Sequence, residues 1–163
     1  MLLCIYICSN PVNHRSMLTE KILLTLFGPI GNGEALLAGR ILFGGILAFM
    51  GLNHFMNLEE MTGYAEFKGL PVPKLSVIGS GLVLVLGGLG IVIGAYVALS
   101  SLVLAAFLFV SSLTMHDFWA ANEDEKQNEM THFLKNMVMV GASLGFFILS
   151  ALTWPYALNI GLL

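Results

Sequence analysis

"LSVIGSGLVLVLGGLGIVIGAYVALSSLVLAAFLFVSSLTM", residues 75–115, runs for 41 positions without an Asp, Glu, Lys, Arg or His. A helix needs about 20 mostly apolar residues to cross the hydrocarbon of a bilayer, so the run is long enough for two crossings. Gly94 and Ala95 fall near its middle and leave room for only a tight turn. The pattern predicts an antiparallel helix pair over about 75–93 and 96–115. Composition agrees: 57% of the chain is apolar and 10% charged, against about 45–50% and 25% in soluble domains. With 163 residues and a net charge of -3, the chain is one membrane domain with no basic patch for nucleic acid.

Working outward, "EALLAGRILFGGILAFMGLNHFM" predicts a first span over 35–56, with Arg40 inside it, placed to snorkel to the nearer surface. "NLEEMTGYAEFKGLPVP" follows. Asn57 and Glu60 have capping-box spacing; Leu58, Met61 and Ala65 share a face. Lys68 suits a helix end, Gly69 the position after it and Pro71 a stop. A short amphipathic helix lying on the membrane is expected. Beyond the central run, Asn122 and Glu125 repeat the capping-box spacing. They predict a helix starting near Glu123 that continues into a fourth span over 133–152, closed by Trp154, Pro155 and Tyr156 as an interfacial stop. The fold expected is all-α, a four-helix transmembrane bundle with one interfacial helix between spans one and two. Gly90-xxx-Gly94 and Gly141-xxx-Gly145 have the spacing that lets helix backbones approach.

Residues 1–34 read as a variable N-terminal segment, 35–156 as the membrane domain and 157–163 as a tail. The N-terminal segment carries a modest apolar stretch, 18–27, ended by the breaker cluster "GPIGNG"; Met1 and Met17 are both possible starts. Both cysteines, Cys4 and Cys8, lie there, so the body has no thiol for a disulfide, zinc cluster or nucleophile.

"TMHDFWAANEDEKQNEMTHFLKN", residues 114–136, holds two of the four histidines and five of the ten acidic residues. Up-down threading explains the concentration. His54 ends span one, His116 ends span three and His132 begins span four, so all three fall at one membrane face with Asp117, Glu125 and Glu129. Two chemistries suit them. A quinone headgroup could accept a hydrogen bond from a histidine, whose proton exchanges near neutral pH, with Phe118 and Trp119 as walls. A transition metal is the weaker choice: His54, His116, His132 and Glu129 are suitable donors. Glu129 and His132 are also spaced i, i+3 as in di-iron carboxylate sites, but those sites need two such pairs and this chain has one. Arg40 lies 14 positions before His54, about 21 Å along a helix, and belongs to the opposite face; as a charge within a span it is a separate site candidate. Ser111, Ser112 and Thr114 are expected to serve packing between helices. Lys68, Lys74, Lys126 and Lys135 on the histidine side against Arg15, Lys21 and Arg40 lean toward a cytoplasmic histidine face. A permeation path is disfavoured, because spans two and three hold no charged relay.

"GRILFGGILAFMGLNHFMNLEEMTGYAEFKGLPVPKL", then a glycine-rich span, then "MHDFW" and "HFLKN", resembles the DoxX family, small prokaryotic four-helix membrane proteins. The likeness covers about 38–147 and is strongest at Arg40, Gly51, His54, Gly69, Pro71, His116, Phe118, Trp119, Phe133, Lys135 and Asn136. It implies a multi-pass protein of the cell membrane. The family takes its name from a subunit of a thiosulfate:quinone oxidoreductase, and relatives are linked to membrane redox complexes that counter oxidative and thiol stress. The resemblance thus implies an accessory or quinone-interacting subunit beside a membrane or peripheral oxidoreductase. The alternative is a non-enzymatic membrane scaffold or assembly factor, since no catalytic set is complete. Many family members carry an acid early in the second span, where this chain has "VIGSGLV" with Ser80.

Overall fold

The computed structural model describes residues 32–161. The chain divides into two compact units, Met1–Leu36 and Leu37–Leu163, and the helix contacts described below lie within the second. The stretch 18–27, the first four residues of the breaker cluster 28–33 and both cysteines fall outside the described residues, and the last two residues of that cluster, Asn32 and Gly33, already open a helix. Among the described residues four helices are long and apolar enough to cross a membrane: span one Gly33–Met56, span two Pro73–Ile93, span three Val97–Met115 and span four Glu123–Leu149. A fifth, shorter helix, Leu58–Phe67, joins spans one and two. The fold is an all-α four-helix bundle, as the apolar runs require.

Each boundary has a local cause. The helix Leu58–Phe67 ends at Gly69, whose φ of 72° only glycine adopts without strain. Gly69 N–H donates to Glu66 O and Leu70 N–H to Ala65 O, the paired bonds of a Schellman cap. Pro73 opens span two at a position where its missing N–H costs nothing. Gly94, φ 69°, closes it, with its own N–H and that of Ala95 both returning to Gly90 O. Neither anticipated capping box forms. Asn57 donates to Asn53 Oδ1 at 2.7 Å instead, and the Asn122 side chain makes no cap bond; spacing permits a cap, but a competing partner or rotamer decides it. Span four ends at Leu149 rather than Leu152, with Ser150 as its last cap residue and the Ser150 hydroxyl on Phe147 O at 2.6 Å. Span one is also not a uniform helix: a π-helical segment, Ile41–Gly45, comes directly after Arg40. No periodicity in the sequence marked it.

The bundle turns much of its apolar surface outward: Phe49, Leu86, Val138 and Ile148 are each at least 66% exposed. That is the pattern of helices bathed in lipid, where helix contact comes from close packing rather than from hiding apolar area. Leu47, Leu84, Ile91, Leu104 and Leu108 form the inner cluster. Spans one and two approach most closely through glycine: a Cβ on Gly44 or Gly88 would collide with the other's carbonyl, and one on Gly51 would lie 2.7 Å from Gly81 O. Of the two spacings picked out by sequence, Gly90 packs on Ser100, but Gly141 and Gly145 have nothing within 4 Å. Among the described residues, span four therefore does not pack through its glycines.

Candidate functional site: a histidine-lined cavity

Ionisable groups gather at both ends of the bundle, for different reasons. At one end Arg40 is fully buried rather than snorkelling. Its guanidinium donates to Ile91 O (3.1 Å), Val92 O, Pro155 O (2.9 Å) and Tyr156 O (3.3 Å) and sits 5.2 Å from the centre of the Trp154 ring. The first two acceptors are among the last carbonyls of span two, where the helix presents partial negative charge. The other two belong to the segment after span four, which folds back so that Leu158 N–H donates to Ile93 O at 2.9 Å and Tyr96 N–H to Ile160 O. Trp154 is 3% exposed, with its indole N–H on Leu149 O at 2.8 Å. It is a buried plug, not the interfacial anchor its neighbourhood suggested, because Arg40 and Phe146 offer it ring contacts on the protein side. Arg40 thus ties three chain segments together and stands apart from the histidines.

At the other end a cavity of about 390 Å³ lies among all four spans and the short helix. His54, His116 and His132 all line it. His54 Nδ1 is 2.8 Å from Met50 O; a carbonyl only accepts, so Nδ1 carries the proton and Nε2 is the nitrogen left over for another partner. His116 Nδ1 is 2.9 Å from Glu129 Oε2, which assigns its ring in the same sense, and its face stacks on His132 with centroids 5.1 Å apart. Ser80, Ser111, Thr114 and Asn136 add polar groups, while Leu84, Phe107 and Leu108 close the inner wall. Ser80, at the place where the family resemblance leads one to expect an acid, donates to Val77 O at 2.8 Å.

Two residues that sequence reasoning did not assign to the site complete its rim. Lys68 Nζ bridges Asp117 Oδ1 at 2.7 Å and Glu129 Oε1 at 3.5 Å. Tyr64 O–H reaches Met115 O at 3.3 Å and Glu129 Oε1 at 3.4 Å. Hydrogen bonding from Lys68 holds the Asp117 carboxyl below its usual range. Burial works against the Lys68 charge, but the Asp117 hydrogen bond and the surrounding negative groups outweigh it, so its pKa is raised. Burial raises that of Tyr64. Lys68 read only as a helix terminus in sequence; its tie to residues 49 and 61 positions on exists only once the helices pack.

Other candidates sit elsewhere. Trp119 and Phe118 do not wall the cavity; they form an aromatic group with Phe133, with centroids 5.2 to 6.0 Å apart, because the turn after His116 swings them onto span four. Asp117 faces Lys68, not the cavity. Ser112 does join helices, donating to Phe133 O at 3.2 Å, whereas Thr114 bonds back to its own helix. Among the described residues no three His, Cys, Asp or Glu side chains converge as metal ligands: the arrangement spends His116 and Glu129 on each other and His54 on Met50.

Four crossing helices around a polar-headed, apolar-walled cavity define a multi-pass membrane protein. The chain belongs to the DoxX family, whose family model matches residues 35–117. The match takes in Arg40, His54, Ser80, His116 and Asp117 and ends before Trp119, Glu129 and His132. Searches of curated proteins and of solved structures find no match.

Proposed function

We propose that this DoxX protein is a quinone-interacting, accessory subunit of an oxidoreductase or redox-stress complex in the cell membrane, with 35–156 as its working domain and the flanking segments outside it. The observation that carries the reading is the meeting of His54, His116 and His132 around one cavity. The residues fit a flat ring with two oxygens: the Nε2 left over on His54 and His116 can accept from a quinol hydroxyl, or donate to a quinone carbonyl when the ring carries a second proton, and Leu84, Phe107 and Leu108 supply apolar carbon. A bound quinone would supply two-electron redox chemistry. The chain's own part would be to orient the ring by hydrogen bonds and to hold a proton at His116, whose Nδ1 is fixed by Glu129. Quinone binding to the purified protein, monitored by quenching of protein fluorescence, is expected to weaken at least tenfold in His116→Ala. Absence of binding in wild type, or equal binding in the variant, overturns the reading.

A second reading, a membrane scaffold or assembly factor, draws on one observation. The outward face of span four presents Leu134, Val138 and Ile148 beside the bare backbone of Gly141 and Gly145. It requires a protein partner that co-purifies in detergent and is lost on replacing Gly141 and Gly145 by leucine.

A further inference from the structure

The short helix covers the cavity's aqueous side. The helix Leu58–Phe67 lays Met61, Tyr64 and Ala65 against it, and the Lys68–Asp117 pair holds that helix to the end of span three. Toward the lipid the picture differs. Spans one and four touch where Phe43 meets Phe146, ring centroids 5.2 Å apart. Nearer the histidines they part, and a hollow lies between Met50 of span one and the 127–139 face of span four. Met50, His132 and Asn136 line both this hollow and the cavity, so the two adjoin at those side chains.

The lining changes character along this direction. Beside the cavity stand His116, His132 and Ser111; along the hollow the polar residues Gln127, Thr131, His132, Lys135 and Asn136 alternate with Met130 and Leu134 and give way to Val138 and Met139 deeper in span four. Leu134 and Val138 are 54% and 72% exposed, on the surface that lipid covers. Polar at one end and apolar at the other is the complement of an amphiphile.

We infer that the cavity receives a tailed, lipid-soluble ligand sideways from the bilayer, its hydrogen-bonding head beside His116 and His132 and its tail leaving between spans one and four. This rests on the quinone reading and adds to it the tail and its route. The test uses the wild-type chain in phosphatidylcholine nanodiscs, a benzoquinone whose alkyl tail carries a photoactivatable diazirine, and the same ring without a tail as competitor. Crosslinks mapped by mass spectrometry are expected within 130–139 and at Met50, falling at least threefold with excess competitor. Saturable crosslinks on the outward faces of spans two and three instead, at Leu86 or Val110 for example, overturn the route while leaving quinone binding intact. No saturable labelling together with no binding of the tail-less ring overturns both the route and the quinone reading.

Discussion

Four carbonyl oxygens converge on the guanidinium of Arg40, and replacing that side chain leaves each of them without this donor, Ile91 O fully buried and the other three partly so. A buried acceptor stripped of its partner costs about 1–3 kcal/mol. Arg40→Leu is therefore expected to lower stability by about 3 kcal/mol or more, a fall of roughly 6–12 °C in the thermal midpoint in detergent. The segment 151–161 should also become open to proteolysis. Arg40→Lys should recover only part, because an ammonium lacks the planar fork that spans several carbonyls. A midpoint unchanged in Arg40→Leu would show that the convergence contributes nothing. At the other end the Lys68–Asp117 pair fixes the short helix, and its pH response comes from both shifts. Asp117 is lowered, so its contribution is present above the ordinary carboxylate value near 4 and fades as pH falls through the lower folded value. Lys68 is raised, so its contribution is present below the ordinary lysine value near 10.4 and is lost as pH climbs through the higher folded value. A spin label at the exposed Glu66 position should be least mobile between those limits, loosen beyond either, and lose the dependence in Lys68→Met. Arg40 was legible as an anomaly in an apolar span, but not its acceptors. Carbonyls carry no sequence signature, and Pro155 lies 115 positions away.

Elements in this bundle are fitted by what is missing from them. Spans one and two come together over Gly44–Gly88 and Gly51–Gly81, where backbone lies on backbone. Without a hydrophobic drive between helices in lipid, such close contact is what holds them. Gly88→Ala would push a methyl into Gly44 O and is expected to cost about 1–3 kcal/mol, as overpacking does. Gly141→Ala meets no other described residue and should leave stability unchanged or slightly raised, since alanine favours helix over glycine by up to about 1 kcal/mol. Unfolding of both variants in the same detergent tests the contrast, and equal effects would mean that the close contact of spans one and two is absent. Sequence spacing singled out Gly90, Gly94, Gly141 and Gly145 and passed over Gly44, Gly51 and Gly88. Every span is glycine-rich or serine-rich, so which small residues face a neighbour depends on helix rotation. The π segment Ile41–Gly45 alters that rotation in span one, because a π turn takes an extra residue and rotates the remainder of the helix.

For the molecule as a whole, the alternation of four crossings puts the buried arginine and the histidine cavity on opposite sides of the membrane. With Cys4 and Cys8 replaced by serine, single cysteines at His54 and His116 should react with an impermeant maleimide from one side, and a cysteine at Tyr156 from the other. Labelling of positions 54 and 116 from different sides would dismantle the cavity. The same alternation was readable at the outset. Apolar runs of about 20 residues suit the hydrocarbon of a bilayer, and glycine or proline marks the turns between spans one and two and between spans two and three. Span number, order and the shared face of three histidines therefore come from local chemistry. Packing alone settled the rest. It sent Trp119 to Phe133 rather than to the cavity, brought Lys68 and Tyr64 to Glu129, and buried Arg40 under the returning chain end. Most of these contacts join residues tens of positions apart, whose meeting depends on helix rotation and tilt. Apolar periodicity says that a helix crosses the membrane, whereas the fit of side chains and bare backbone decides which way each face turns.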